Sequence, residues 1–171
     1  QFIRREWTSL EGKWAFAFDD ENVGKKENWF QGFEQNQEIN VPFTYETEAS
    51  GIHDDSHHTI VWYQRTFQAH ANQPVTLYFE GVDYVTEVWV NGQKIGRHQG
   101  AYSRFSFLVD SELAEGDNQL VIRVEDSLAS DQPRGKQRWL KDNFGCWYVQ
   151  TTGICKSVWL EHTPTYYLDE V

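Results

Sequence analysis

Apolar and polar residues alternate with a period of two along most of the chain. Trp14-Ala15-Phe16-Ala17-Phe18 opens the series, followed by Glu38-Ile39-Asn40-Val41 and a long run over 60–67. Val75, Leu77 and Phe79 alternate with Thr76, Tyr78 and Glu80; Val88 and Val90 with Glu87, Trp89 and Asn91. Phe105, Phe107 and Val109 follow, then Leu120, Ile122 and Val124, and last Val158 and Leu160. Turn residues bound each run, as half-buried strands require. Asn91-Gly92 is the strongest local signal. Both residues tolerate positive φ, so a type I′ hairpin is predicted to fold back into Lys94-Ile95-Gly96. Helix is scarce: one turn is predicted over 110–115, capped by Asp110 or Ser111 and stopped by Gly116, and another short turn over 25–30. Nothing is long enough for a parallel crossover. About eight short antiparallel strands therefore predict an all-β, two-sheet jelly-roll sandwich.

Composition narrows the function classes. The 171 residues suit a single domain, with 39% hydrophobic and 24% charged positions. Aromatics make up 16%, which favours strands and sugar-facing or interface surfaces over helical bundles. A net charge of −11 argues against nucleic acid or an anionic membrane surface as partner, since both are bound by basic groups. No apolar run is long enough to span a bilayer, and Gln1-Phe2-Ile3-Arg4-Arg5-Glu6-Trp7 lacks the apolar core of a signal peptide. Without an initiator Met the chain reads as a trimmed fragment, and the cytoplasm is the expected compartment. Cys146 and Cys155 form no disulfide framework and are expected to be buried free thiols.

Two long segments, 44–59 and 127–150, resist the strand pattern, and loops of that length tend to be functional. The first carries His53, Asp54, Asp55, His57 and His58. Such residues can ligate a divalent cation, but a polar row in one loop rarely converges as tetrahedral ligation demands, so local hydrogen bonding is the favoured account. No metal and no cofactor is expected. The second segment contains Pro133 and Gly135, which fix a turn presenting Arg134, Lys136 and Gln137 beside Trp139 and Trp147. Donors next to flat apolar rings suit a sugar, whose hydroxyls need partners and whose C–H face needs cover. An interdomain contact loop uses the same chemistry, and composition leaves both readings open. No Gly-x-Ser-x-Gly elbow and no phosphate-binding glycine loop is present.

The order of motifs resembles one family. Trp7-x-x-Leu10-x-Gly12-x-Trp14-x-Phe16, Val41-Pro42 and Val61-Trp62-Tyr63-Gln64-Arg65-Thr66-Phe67 are similar to the start of glycoside hydrolase family 2. Leu77-Tyr78-Phe79-Glu80-Gly81-Val82-Asp83-Tyr84-Val85-Thr86-Glu87-Val88-Trp89-Val90-Asn91-Gly92 resembles its central signature. Thr151-Thr152-Gly153-Ile154, followed by Val158-Trp159-Leu160-Glu161, resembles its third block. The likeness is to the sugar-binding domain of a family that includes β-galactosidases, β-glucuronidases and β-mannosidases.

That resemblance implies a galactose-binding-like jelly roll, with an immunoglobulin-like sandwich and a barrel beyond residue 171. The barrel would carry the two catalytic glutamates of a retaining mechanism, so no catalytic residue is expected here. It places Asp83 where β-galactosidases have an Asn that contacts sugar. It places Trp147 where relatives have a substrate-facing carboxylate, leaving that contact to Asp142 or to an aromatic. Cys155 stands in place of a usual Trp. The candidate substrate-binding residues are thus Asp83, Tyr84, Arg134, Lys136, Gln137 and Trp147. Asp83 is expected at a strand end, projecting toward a neighbouring domain, the alternative being that it accepts only backbone N–H groups of its own turn. The implied partners are a carbohydrate, the downstream domains and, for the full enzyme, another copy of itself. An independent carbohydrate-binding module and a purely structural interface domain are the other functions compatible with these residues.

Overall fold

A computed structural model describes residues 7–34, 36–71, 73–129 and 131–162. Among them twelve strands occur in chain order: β1 (Trp7–Ser9), β2 (Gly12–Phe18), β3 (Gln37–Val41), β4 (Ile60–Ala69), β5 (Val75–Phe79), β6 (Val82–Asp83), β7 (Val85–Val90), β8 (Gln93–Gln99), β9 (Phe105–Val109), β10 (Gly116–Glu125), β11 (Gly153–Ile154) and β12 (Val158–His162). A four-stranded sheet runs β1-β12-β5-β9 and a six-stranded sheet runs β3-β2-β4-β10-β7-β8. All strand pairings are antiparallel. This is the jelly-roll sandwich that the alternation predicts. The strands beyond the predicted set, β1, β6 and β11, have two or three residues, too few for a period to show.

Alternation works because one face of each sheet meets the other across a common core. Trp14, Phe16, Tyr63, Leu77, Phe79, Val88, Leu120, Ile122 and Leu160 fill it. Burying one such side chain contributes about 1.5–3 kcal/mol. The outer face of the six-stranded sheet has a second layer, which the period alone does not reveal. Trp62 stacks on Trp89 at 5.6 Å, and Trp29, Phe30 and Phe33 from the loop between β2 and β3 lie over them. Asp19 anchors this cover, accepting from the Trp62 indole at 2.9 Å and from the backbone N–H groups of Val23 and Gly24. The turn predicted over 25–30 appears here and ends in a 3₁₀ turn, Trp29–Gln31.

The Asn91-Gly92 hairpin forms as predicted, with φ of 50° and 78° joining β7 to β8. Over 110–115 one hydrogen-bonded turn forms, Leu113 N donating to the Asp110 carbonyl at 3.2 Å, but it does not continue as a helix. The side chain of Asn118 bonds to Ala114 N, Ala114 O and Gly116 O, supplying the partners a helix would need, and Gly116 opens β10 at φ +87°. No helix among the described residues is long and apolar enough to cross a membrane.

Candidate functional site

Three segments meet at one end of the sandwich: the loop 44–59, the pair β6–β11, and the long loop after β10. Gly153 makes the meeting close. It has φ +98°, and a β-carbon there would collide with the Tyr63 hydroxyl, so only glycine lets β11 lie against β4. The Tyr63 hydroxyl accepts from Ile154 N at 3.3 Å, and Gly153 pairs with Asp83.

Asp83 is the centre of the site. It is only 2% exposed, so it does not project from a loop edge, and its described side-chain hydrogen bond comes from Gln137, not from backbone N–H groups of its own turn. Its Oδ2 accepts from Gln137 Nε2 at 2.7 Å. Among the described residues its Oδ1 has no hydrogen-bond partner and, unlike Glu46 Oε2, is not wholly sealed from solvent. Burial pushes the Asp83 carboxyl up to about 7, and repulsion from Asp126 adds to this, while the Gln137 hydrogen bond and the Arg134 charge oppose it.

A buried polar network lies behind Asp83. Asp126 accepts from Gln132 Nε2 at 2.6 Å and from the Thr152 hydroxyl at 2.9 Å. Arg134 lies 3.6 Å from Asp126 and donates through Nε to the Ala129 carbonyl at 2.8 Å. Glu46 accepts from Thr152 N at 3.0 Å, and burial raises its carboxyl to about 7. Arg138 binds Gln150 at 2.9 Å, Asn143 at 3.1 Å and the Asp55 carbonyl, while Gln150 donates to the Ser56 carbonyl at 3.1 Å. These bonds fasten the two long loops to each other. Asp126 was legible in principle, since it continues the phase of Leu120, Ile122 and Val124 and so points inward. Glu46, Arg138 and Gln150 lie in irregular segments that offer no period.

The predicted site residues divide. Asp83, Arg134 and Gln137 come together. Arg134 is not presented to solvent: it is 7% exposed and serves as the counter-charge of Asp126. Lys136 is exposed and contributes its carbonyl to Tyr148 N at 2.9 Å. Tyr84 is buried, its hydroxyl accepting from Gln99 at 3.3 Å. Trp147 is half-buried and packs on Trp139 at 4.5 Å. Trp139, Phe144 and Trp147 form an aromatic knot on the long loop, beside which Leu140 (52%) and Tyr148 (60%) stand exposed. Cys146 on this loop is exposed and Cys155 half-buried, against the expectation of two buried thiols. Among its described residues the loop 127–150 has only isolated bridges and the small aromatic knot, and Cys146 lies exposed beside that knot.

His57 and His58 of the first loop make hydrogen bonds that reach beyond the loop as well as within it. His58 lies 2.9 Å from Asp20 and 3.0 Å from Ser56, stacked on Phe18, and His57 donates to the Asp126 carbonyl at 3.0 Å.

Comparison with known proteins decides the family. Residues 7–164 match the family described as glycosyl hydrolases family 2, sugar binding domain. The chain belongs to that family. It is 27% identical to a β-galactosidase of Priestia megaterium, with 92% of this chain covering 17% of that protein. It is 28% identical to a β-glucuronidase of Paenibacillus borealis, with 74% of this chain covering 22% of it. The structure of a β-glucuronidase from an uncultured Clostridium sp. superposes with a TM-score of 0.74 at 25% identity, over 96% of this chain and 30% of that one. The chain thus spans about one fifth of the curated relatives it matches. The family 2 sugar-binding domain accounts for the jelly roll, and the convergence of its central signature and third block at Asp83 and Gly153 gives their spacing a structural reason.

Proposed function

We propose that this sugar-binding domain serves a retaining β-glycosidase, where Asp83 contributes a hydrogen-bond acceptor to the rim of an active site carried by a barrel elsewhere in the parent polypeptide. The observation that carries the reading is the carboxylate of Asp83, held on one oxygen and without a hydrogen-bond partner on the other among the described residues, at the end of the sandwich where β6 and β11 pair. A sugar hydroxyl donates to such an oxygen, and a hydrogen bond to a charged group contributes about 1.5–3 kcal/mol. Leu140, Tyr148 and Tyr102, exposed in the loops at or beside that end, support contact with a neighbouring domain. An immunoglobulin-like domain and the barrel complete the parent, with the two catalytic carboxyl groups on the barrel about 5–5.5 Å apart. The polypeptide encoded by the whole reading frame should hydrolyse an aryl β-galactoside, β-glucuronide or β-mannoside. Proton NMR of the first product should show the β-anomer before mutarotation. Hydrolysis of none of these, or release of the α-anomer first, contradicts the proposal.

A further inference from the structure

Gln137 uses both ends of its amide. Nε2 donates to Asp83 Oδ2 at 2.7 Å and Oε1 accepts from Thr151 N at 2.7 Å. The second bond settles the orientation of the first. Only the carbonyl end can accept from a backbone N–H, so the NH2 end must face the carboxylate. A closed ring results: Asp83 to Gln137, Gln137 to Thr151, along the chain to Gly153, and across the β6–β11 pair back to Asp83. Gln137 itself is held by its backbone N–H to the Arg134 carbonyl at 3.1 Å. The two carboxylate oxygens are equivalent, so what the ring fixes is the plane and direction of the Asp83 carboxylate, with one oxygen on the amide and the other left over.

We propose that Gln137 is a positioning residue for Asp83, capping one carboxylate oxygen, aiming the other at the ligand and tying that geometry to the backbone that enters β11. The inference rests on Asp83 being the ligand-facing residue. The charged or titratable groups acting on Asp83 are Asp126 at the end of β10 and Arg134 in the long loop, while Cys155 beyond β11 feels Asp83 and Glu46 in turn. Among these neighbours, the Gln137 hydrogen bond and the Arg134 charge favour the ionised carboxylate.

Two variants separate this role from simple tethering of the loop. Gln137→Leu removes both bonds. Gln137→Glu keeps an acceptor for Thr151 N but replaces the donor to Asp83 with another acceptor. Carbon-13 NMR titration of the Asp83 carboxyl in this chain should show its apparent pKa raised by about one unit or more in both variants. In the full-length enzyme both should lower kcat/KM roughly tenfold, and adding Gln137→Leu to Asp83→Ala should change it less than about twofold. Wild-type titration and kcat/KM in Gln137→Glu overturn the proposal, because the amide then serves the loop alone. A titration that moves while Asp83→Ala leaves kcat/KM intact removes the ligand from Asp83, and the positioning role falls with that reading.

Discussion

Asp83 and Glu46 are carboxyl groups taken out of water faster than they are supplied with donors. Both are raised to about 7, burial being the first cause in each. The folded chain therefore holds protons that the unfolded chain, with carboxyl groups near 4, releases. Their contribution to stability is fully present below about pH 4 and is lost as pH rises through about 7. Between pH 5 and pH 8 the urea midpoint should fall as pH rises, by on the order of 2 kcal/mol of stability for each group. Asp83→Asn should flatten that slope, since its amide does not titrate. A slope unchanged in Asp83→Asn contradicts the assignment of the proton to Asp83.

The β6–β11 pair holds the site although it has only two residues in each strand. Its register depends on Gly153, whose φ of +98° and contact with Tyr63 exclude a side chain. Gly153→Ala should destabilise the fold by about 2–4 kcal/mol, combining overpacking with the left-handed backbone. Tyr63→Phe, which removes the clashing oxygen, should restore part of that loss in the double variant. Thermal unfolding of the three variants measures this, and strictly additive losses would place the strain elsewhere. The longer strands were legible in sequence because one face of each meets a common core, and Asn91-Gly92 specified its own turn. The predicted turn over 110–115 stops after one hydrogen bond because Asn118, which carries no apolar period, organises the residues that follow. Of the site, Asp83 and Gln137 were legible as residues, but the inward turn of Arg134 was not. An arginine beside Pro and Gly reads as exposed until the buried Asp126 is placed next to it.

At the scale of the whole molecule, one end of the sandwich carries the family motifs, a buried network and exposed aromatics. The remaining outer faces include the Trp62–Trp89 layer, which is already covered by the chain itself. The chain carries a formal net charge of −11, so the proposed ligand contact rests on a few placed groups and not on an overall field. Among the candidates, Asp83 alone combines a fixed carboxylate with an open oxygen. The most direct test is therefore kcat/KM of Asp83→Ala in the full-length enzyme, normalised to its folded fraction. The expected result is a loss of roughly ten- to a hundred-fold, matching one charged hydrogen bond to a sugar hydroxyl. A lowered melting temperature with kcat/KM of the folded enzyme unchanged would contradict it and leave Asp83 a residue of the fold alone.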